Sequence, residues 1–266
     1  MERIREAIEK ARHERQSAGT QRQGQAGTGG ASPVDGTVTD DWISLPQFDV
    51  NPKSLRRNRI MTLEANPHAT PFDVMRTKLL HEMRSKNWRR VAFTSPGTDC
   101  GKSTVVLNLA FSLARQTDLR VMVIELDFRT PSIARMLQLD DGTNFAKVLS
   151  GTAQPRDHIK RYKASLAVAA SKDTPNSAEL LHGTKAAHVI DAIEAQYQPD
   201  VMLFDMPPVL VADDTMAFID QVDATLLIGA AEASTLDEIG RCKQELETRT
   251  NLLGVVLNKC RYPETS

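Results

Sequence analysis

The sequence predicts an α/β fold, a mostly parallel sheet with helices on both of its faces. Three observations carry that prediction. Apolar runs of strand length recur through the chain, as RRVAFTS, LRVMVIEL, SLAVAAS, DVMLFDM, ATLLIGA and LLGVVLN. They are continuous and not alternating, the pattern of strands whose two faces are both covered. Segments with helical spacing, such as AAHVIDAIEAQY and TLDEIGRCKQELETR, separate them.

Taken in order, residues 1–16 (MERIREAIEKARHERQ) predict an N-terminal helix, with Ile4, Ala7, Ile8 and Ala11 as a narrow apolar stripe on a charged cylinder. Residues 17–55 predict a flexible linker, because SAGTQRQGQAGTGGASPVDGT is rich in Gly, Ser, Gln and Thr and poor in large apolar residues. Residues 56–266 form the predicted catalytic-type domain. Arg56, Arg57 and Arg59 make a small basic cluster at its start, which reads either as a solvated edge or as a docking patch. A helix, PFDVMRTKLLHEMRSK, then precedes the first strand.

Composition narrows the function classes. A hydrophobic content of 41% over 266 residues suffices for a sizeable core. The net charge of −1 supplies no overall basic field, which argues against nucleic acid as a partner. Cys100, Cys242 and Cys260 form no CxxC pair, so neither a disulfide framework nor a zinc site is expected and a reducing cytosol fits. The six histidines lack ligand spacing. No apolar run approaches the ~20 residues of a membrane span, and the charged N-terminus lacks a signal-peptide core. The expectation is a cytoplasmic protein with no direct membrane span.

The chemistry-bearing motifs sit at strand ends. The first strand runs into FTSPGTDCGKST, a turn that opens a helix. Successive amides of such a turn cradle phosphates, which makes Gly97, Thr98, Asp99, Cys100, Gly101, Lys102, Ser103 and Thr104 the expected nucleotide loop. Lys102 would reach the terminal phosphates and Ser103 would ligate Mg²⁺. Pro96 stands where the G-x-x-x-x-G-K-[ST] pattern has glycine, with Gly97 displaced by one position. The second strand ends in IELDFRTPS, where Glu125, Asp127 and Arg129 alternate and should leave one side of the strand, two acids for metal or proton and a cation for phosphate. VMLFDMPP delivers Asp205 from a buried strand towards the metal, and Asn258 ends the last strand where an amide could read a purine edge.

Together these residues resemble the cytoplasmic P-loop ATPase domain of the bacterial tyrosine kinase family, the regulators of capsule and exopolysaccharide biosynthesis. The similarity covers about residues 60 to 260 and includes PFDVMRTKLL, DFRTPSIARML, TPNSAELL and DMPPVLVADD. The N-terminal MERIREAIEKAR resembles members found in exosortase-associated export clusters. The resemblance implies use of ATP and Mg²⁺, tyrosine phosphorylation, homo-oligomerisation and activation by a membrane polysaccharide co-polymerase or chain-length regulator, which would bring the protein to the inner membrane. By position, Lys102 and Ser103 match the phosphate and metal residues, Glu125 and Asp127 the paired acids and Asp205 the remaining metal acid. The sequence departs from the family in three places. Glu125 replaces an aspartate, the tail holds Tyr262 alone instead of a tyrosine cluster, and Thr70, Asp73 and Arg76 replace the ring-forming E-x-x-R-x-x-R.

Two other readings share these motifs. A partitioning-type ATPase would carry a second lysine five residues before Lys102, where this chain has Gly97. A nucleotide-gated binding module would bind ATP only to order loops that dock a partner.

Overall fold

The computed structural model describes residues 41–175, 177–182 and 184–261. The N-terminal helix expected at 1–16, residues 17–40 of the expected linker and Tyr262 lie outside the described residues.

Seven strands form one sheet. In chain order the elements are α1 (Pro52–Arg57), α2 (Thr70–Lys86), β1 (Arg90–Thr94), α3 (Lys102–Ala114), β2 (Val121–Glu125), α4 (Ile133–Leu137), α5 (Ala146–Leu149), α6 (Pro155–His158), β3 (Lys160–Tyr162) and β4 (Leu166–Ala169). They continue with α7 (Ser177–Leu181), α8 (Thr184–Tyr197), β5 (Val201–Asp205), α9 (Asp214–Phe218), β6 (Ala224–Ala230), α10 (Leu236–Glu247) and β7 (Asn251–Asn258). The strand order is β3-β4-β2-β5-β1-β6-β7, parallel throughout except for the β3–β4 pair.

Residues of one strand divide between two core layers, as the continuous apolar runs require. Met122 and Ile124 of β2 and Met202 and Phe204 of β5 pack on one face with Ile190 and Ile193 of α8 and Leu246 of α10. Val121, Val123, Val201 and Leu203 pack on the other with Val105, Leu109 and Leu113 of α3 and Leu80 and Met83 of α2. Burying both faces is the main driving force for this architecture.

α2 is fixed to α3 by a polar clamp. Asp73 accepts from Ser112 Oγ (2.6 Å), Arg76 (3.3 Å) and Arg115, so the acid that departs from the ring-forming pattern is engaged within the chain.

Of the segment 17–55 expected to be a linker, the described part, from residue 41, is packed. Trp42 is buried and donates from Nε1 to the Ala164 carbonyl (2.7 Å), Leu45 is buried beside it, and Arg161 donates to the Ile43 carbonyl (2.9 Å). Phe48 N–H donates to the Arg161 carbonyl, and Arg161 N–H to that of Pro46, extending the sheet beyond β3. The cause is local: the polar composition stops before WISLPQF, whose Trp42, Leu45 and Phe48 pack into the core.

Candidate functional site

β1 lies inside the sheet, with β5 on one side and β6 on the other. The strand order reverses there, and in an open parallel sheet such a reversal creates a crevice beyond the carboxyl ends. The loop 95–101 fills this crevice and leads into α3. Thr94 Oγ1 donates to the Pro207 carbonyl (2.7 Å), Ser95 Oγ to that of Gly97 (2.6 Å), and Val209 N–H to that of Ser95 (2.9 Å), tying the loop to the segment after β5.

The loop closes through two residues with positive φ, Asp99 (57°) and Gly101 (85°). Gly101 is required twice. Its backbone is left-handed, and a Cβ there would stand 2.3 Å from Asn258 Nδ2. That amide donates to the Cys100 carbonyl (2.9 Å), so the donor end of Asn258 holds the loop. Cys100 is buried, its thiol near the Gly97 carbonyl (3.4 Å) and Ser234 Oγ (3.6 Å), which suits a small loop residue. The first amides of α3 have no partner within the helix and form a ready anion cradle.

Lys102 begins α3 and is almost fully buried, its Nζ 3.6 Å from Asp127 Oδ2. Asp127 in turn accepts from Thr130 N–H and Oγ1, both at 3.1 Å. Asp205 is completely buried, and neither carboxylate oxygen has a hydrogen-bond partner of good geometry among the described residues. Burial pushes its carboxyl up to about 7, against the Lys102 charge and the nearby Ser103 hydroxyl, which favour the ionised form; the Asp127 charge adds to the rise. An unpartnered buried carboxylate beside a serine hydroxyl and a second acid is the donor set a hydrated divalent cation satisfies. The residues present therefore fit Mg²⁺.

The expected alternation of Glu125, Asp127 and Arg129 does not survive. β2 ends at Glu125, and the amides of both Leu126 (2.8 Å) and Asp127 (3.0 Å) bond to the single Asp205 carbonyl, which breaks the two-residue period. Asp127 meets Lys102, whereas Glu125 accepts from the amides of Ser132 (2.6 Å), Ile133 (2.9 Å) and Ser171 (2.8 Å). Burial, and then the Asp205 charge, lift the Glu125 carboxyl to about 8 despite those three amides. Arg129 pairs instead with Asp214 (3.0 Å) and Asp213 (3.8 Å).

Sequence reasoning missed several contributors to the site. Thr94, Ser171 and Ser234 support it through contacts 113, 46 and 134 residues apart in the chain, which local pattern does not reveal. Lys259, whose stem comes within 4.0 Å of a Cβ built on Gly101, directly follows Asn258 and could have been read with it.

With this geometry established, comparison with known proteins is specific. The ParA family model described as "NUBPL iron-transfer P-loop NTPase" matches residues 89–264. The tyrosine-protein kinase YwqD of Bacillus subtilis is 26% identical, over 77% of this chain and 86% of that protein. The tyrosine-protein kinase wzc of Salmonella typhi is 27% identical over 69% of this chain but only 26% of its own length. The kinase domain of the Escherichia coli tyrosine kinase ETK superposes with a TM-score of 0.68 at 23% identity, over 76% of this chain and 79% of that one. No helix among the described residues is long and apolar enough to cross a membrane. The chain belongs to the ParA family of P-loop NTPases, and bacterial tyrosine kinases are among the proteins it is similar to.

Proposed function

We propose that the chain is an ATP- and Mg²⁺-dependent tyrosine kinase of the P-loop type. It would regulate exopolysaccharide or capsule synthesis and export from the cytoplasmic face of the membrane, with a membrane co-polymerase or chain-length regulator as partner. The observation that carries this reading is the juxtaposition of buried Lys102 with Asp127 and unpartnered Asp205 under a helix N-terminus.

In this reading the backbone of residues 97–104 receives the phosphates and Lys102 leaves Asp127 for them. Ser103, Asp127 and Asp205 hold the metal, directly or through water. Bound Mg²⁺ supplies positive charge that offsets the charge on the transferring phosphoryl group. Asp127 orients the tyrosine hydroxyl and accepts its proton as the phosphoryl passes to the tyrosine oxygen and ADP leaves. Glu125 serves this chemistry indirectly, because both its oxygens anchor backbone amides that shape the loop around Asp127. Arg129 and Asn258 lie at the rim, available to phosphate and base once their present partners are exchanged. The relatives named as tyrosine-protein kinases support the same reaction class, and self-association belongs to the same reading.

Glu125 also favours a second reading. Hydrogen bonds from three backbone amides engage its carboxylate and leave Asp127 as the one acid of the pair for proton transfer, so a protein that binds ATP without turnover and docks a partner in response is the alternative. Intact mass after incubation with Mg-ATP, beside a Lys102→Met control and a phosphate-release assay, separates the two. Added phosphate on tyrosine, absent from the control, supports the kinase. ATP bound with neither product supports the docking module.

A further inference from the structure

The segment that leads into the sheet carries charge unevenly. Between residues 46 and 63 it holds Lys53, Arg56, Arg57 and Arg59 against a single acid, Asp49, although the whole chain has a net charge of −1. α1 explains the arrangement. Its Ser54 and Leu55 are buried and Asn51 caps its first amides, so Lys53, Arg56 and Arg57 occupy the exposed side. α4 lies alongside, joined through Asn58 Nδ2 to the Met136 carbonyl (3.1 Å), and adds exposed Arg135 to the same ridge. None of these five cations forms an ion pair among the described residues. The buried Arg90, by contrast, is matched by Asp191 and Glu194.

Arg59 gives a second observation. Its φ of 59° is left-handed, a conformation that glycine or asparagine adopts at lower cost, and its carbonyl is fixed by Asn108 Nδ2 (2.8 Å). The turn thus holds a long exposed cation at a position whose backbone favours a small residue.

We propose that this ridge, Lys53, Arg56, Arg57, Arg59 and Arg135, docks the protein on an anionic phospholipid surface. The shape of the site selects the partner. The ridge is formed by short exposed helices, and two cavities among the described residues lie elsewhere, beside Asn144 and Leu180 and beside Met83 and Trp88. Stacking of nucleic-acid bases needs interleaved aromatic rings, and the only one in the segment, Phe48, packs into the core against Tyr162. An acidic peptide gains affinity from a groove or a free strand edge, which a short exposed helix does not offer. A bilayer supplies dense, mobile negative charge without fixed stereochemistry, which is what five exposed cations recognise. This inference is independent of whether ATP is consumed.

The test is co-sedimentation of the full chain with vesicles of phosphatidylcholine mixed with phosphatidylglycerol, against phosphatidylcholine alone, over a range of salt. The protein should pellet with the anionic vesicles only, less so as salt rises. The double variant Arg56→Glu, Arg57→Glu should weaken binding by about tenfold or more, and Arg135→Glu on the other element should weaken it as well. A charge-matched double variant on α10, Arg241→Glu with Lys243→Glu, should retain it. All forms keep residues 1–40, so the difference between them reads the ridge, and urea midpoints verify that each is folded. Equal binding by the ridge and α10 variants, or no pelleting of the unaltered protein, would overturn the proposal. So would a protein that ignores vesicles yet binds polyglutamate through Arg56 and Arg57, since the ligand would then be an acidic polypeptide.

Discussion

Asn258, the last residue of β7, donates its side-chain amide to the carbonyl of Cys100 across 2.9 Å, and so ties the end of the sheet to the phosphate loop. The bond sits against Gly101, whose left-handed backbone leaves no room for a Cβ. Asn258→Ala removes the donor and should weaken nucleotide binding by about tenfold, the worth of one hydrogen bond to a preorganised loop. Asn258→Asp places an acceptor against the carbonyl and should weaken it further. Calorimetric titration with ADP reads both, and affinities within twofold of the unaltered protein would show that the clamp does not matter.

Asp205 makes the opposite kind of prediction. Its buried oxygens have no hydrogen-bond partner of good geometry among the described residues, and an amide oxygen can still face the nearby Ser103 hydroxyl, so Asp205→Asn should change stability by less than about 1 kcal/mol. The same variant should lose the Mg²⁺ dependence of nucleotide affinity. Titrations with and without chelator test this: a dependence that persists in the variant removes Asp205 from the metal site.

Much of this arrangement was legible in the sequence, and the exceptions have physical causes. Five of the six apolar runs are strands buried on both faces; the sixth, β7, is an edge strand that leaves Val255 and Leu257 exposed, and β3, Lys160–Tyr162, is short, polar and antiparallel and leaves no such run. Lys102, Ser103, Asp127 and Asp205 meet at the ends of β1, β2 and β5, as their positions after buried strands suggested. Glu125 lies beside Asp205 but is engaged by backbone amides, and Arg129 pairs with Asp213 and Asp214. Strand alternation holds only while the ladder is regular, and the shared Asp205 carbonyl interrupts it just after Glu125. The partners that claim Glu125, above all Ser171, come from another strand and carry no local signal.

Trp42 tests the boundary of the folded domain. A linker residue tolerates replacement within about 0.5 kcal/mol. Trp42, buried and bonded to Ala164, should cost about 3–5 kcal/mol on replacement by alanine. The shift of the urea midpoint distinguishes these outcomes.

Asp73 predicts a pH effect. Burial acts to raise its carboxyl, but hydrogen bonds from Arg115 and Ser112 and the charges of Arg115 and Arg76 outweigh it and hold the group below its ordinary 3.8. A depressed folded value contributes stability above the unfolded value, and that contribution is lost as pH falls through the folded one. The loss therefore belongs to acid solution below 3.8. Asp73→Asn should be less stable than the unaltered protein near neutrality, by about 1 kcal/mol for a partly exposed cluster. The gap should close on acidification, as followed by thermal melts; a gap that is constant with pH would mean that the carboxylate charge is not what joins α2 to α3.

The central claim is that Lys102 and the loop before it bind the phosphates of ATP. The most direct measurement is the equilibrium affinity for Mg-ATP of the unaltered chain and of Lys102→Met, with urea midpoints confirming that both are folded. The account predicts saturable one-site binding that falls by at least about a hundredfold in the variant, as expected when a buried charge-assisted contact to phosphate is lost. Equal affinity in the two proteins would contradict it and remove the nucleotide from this loop.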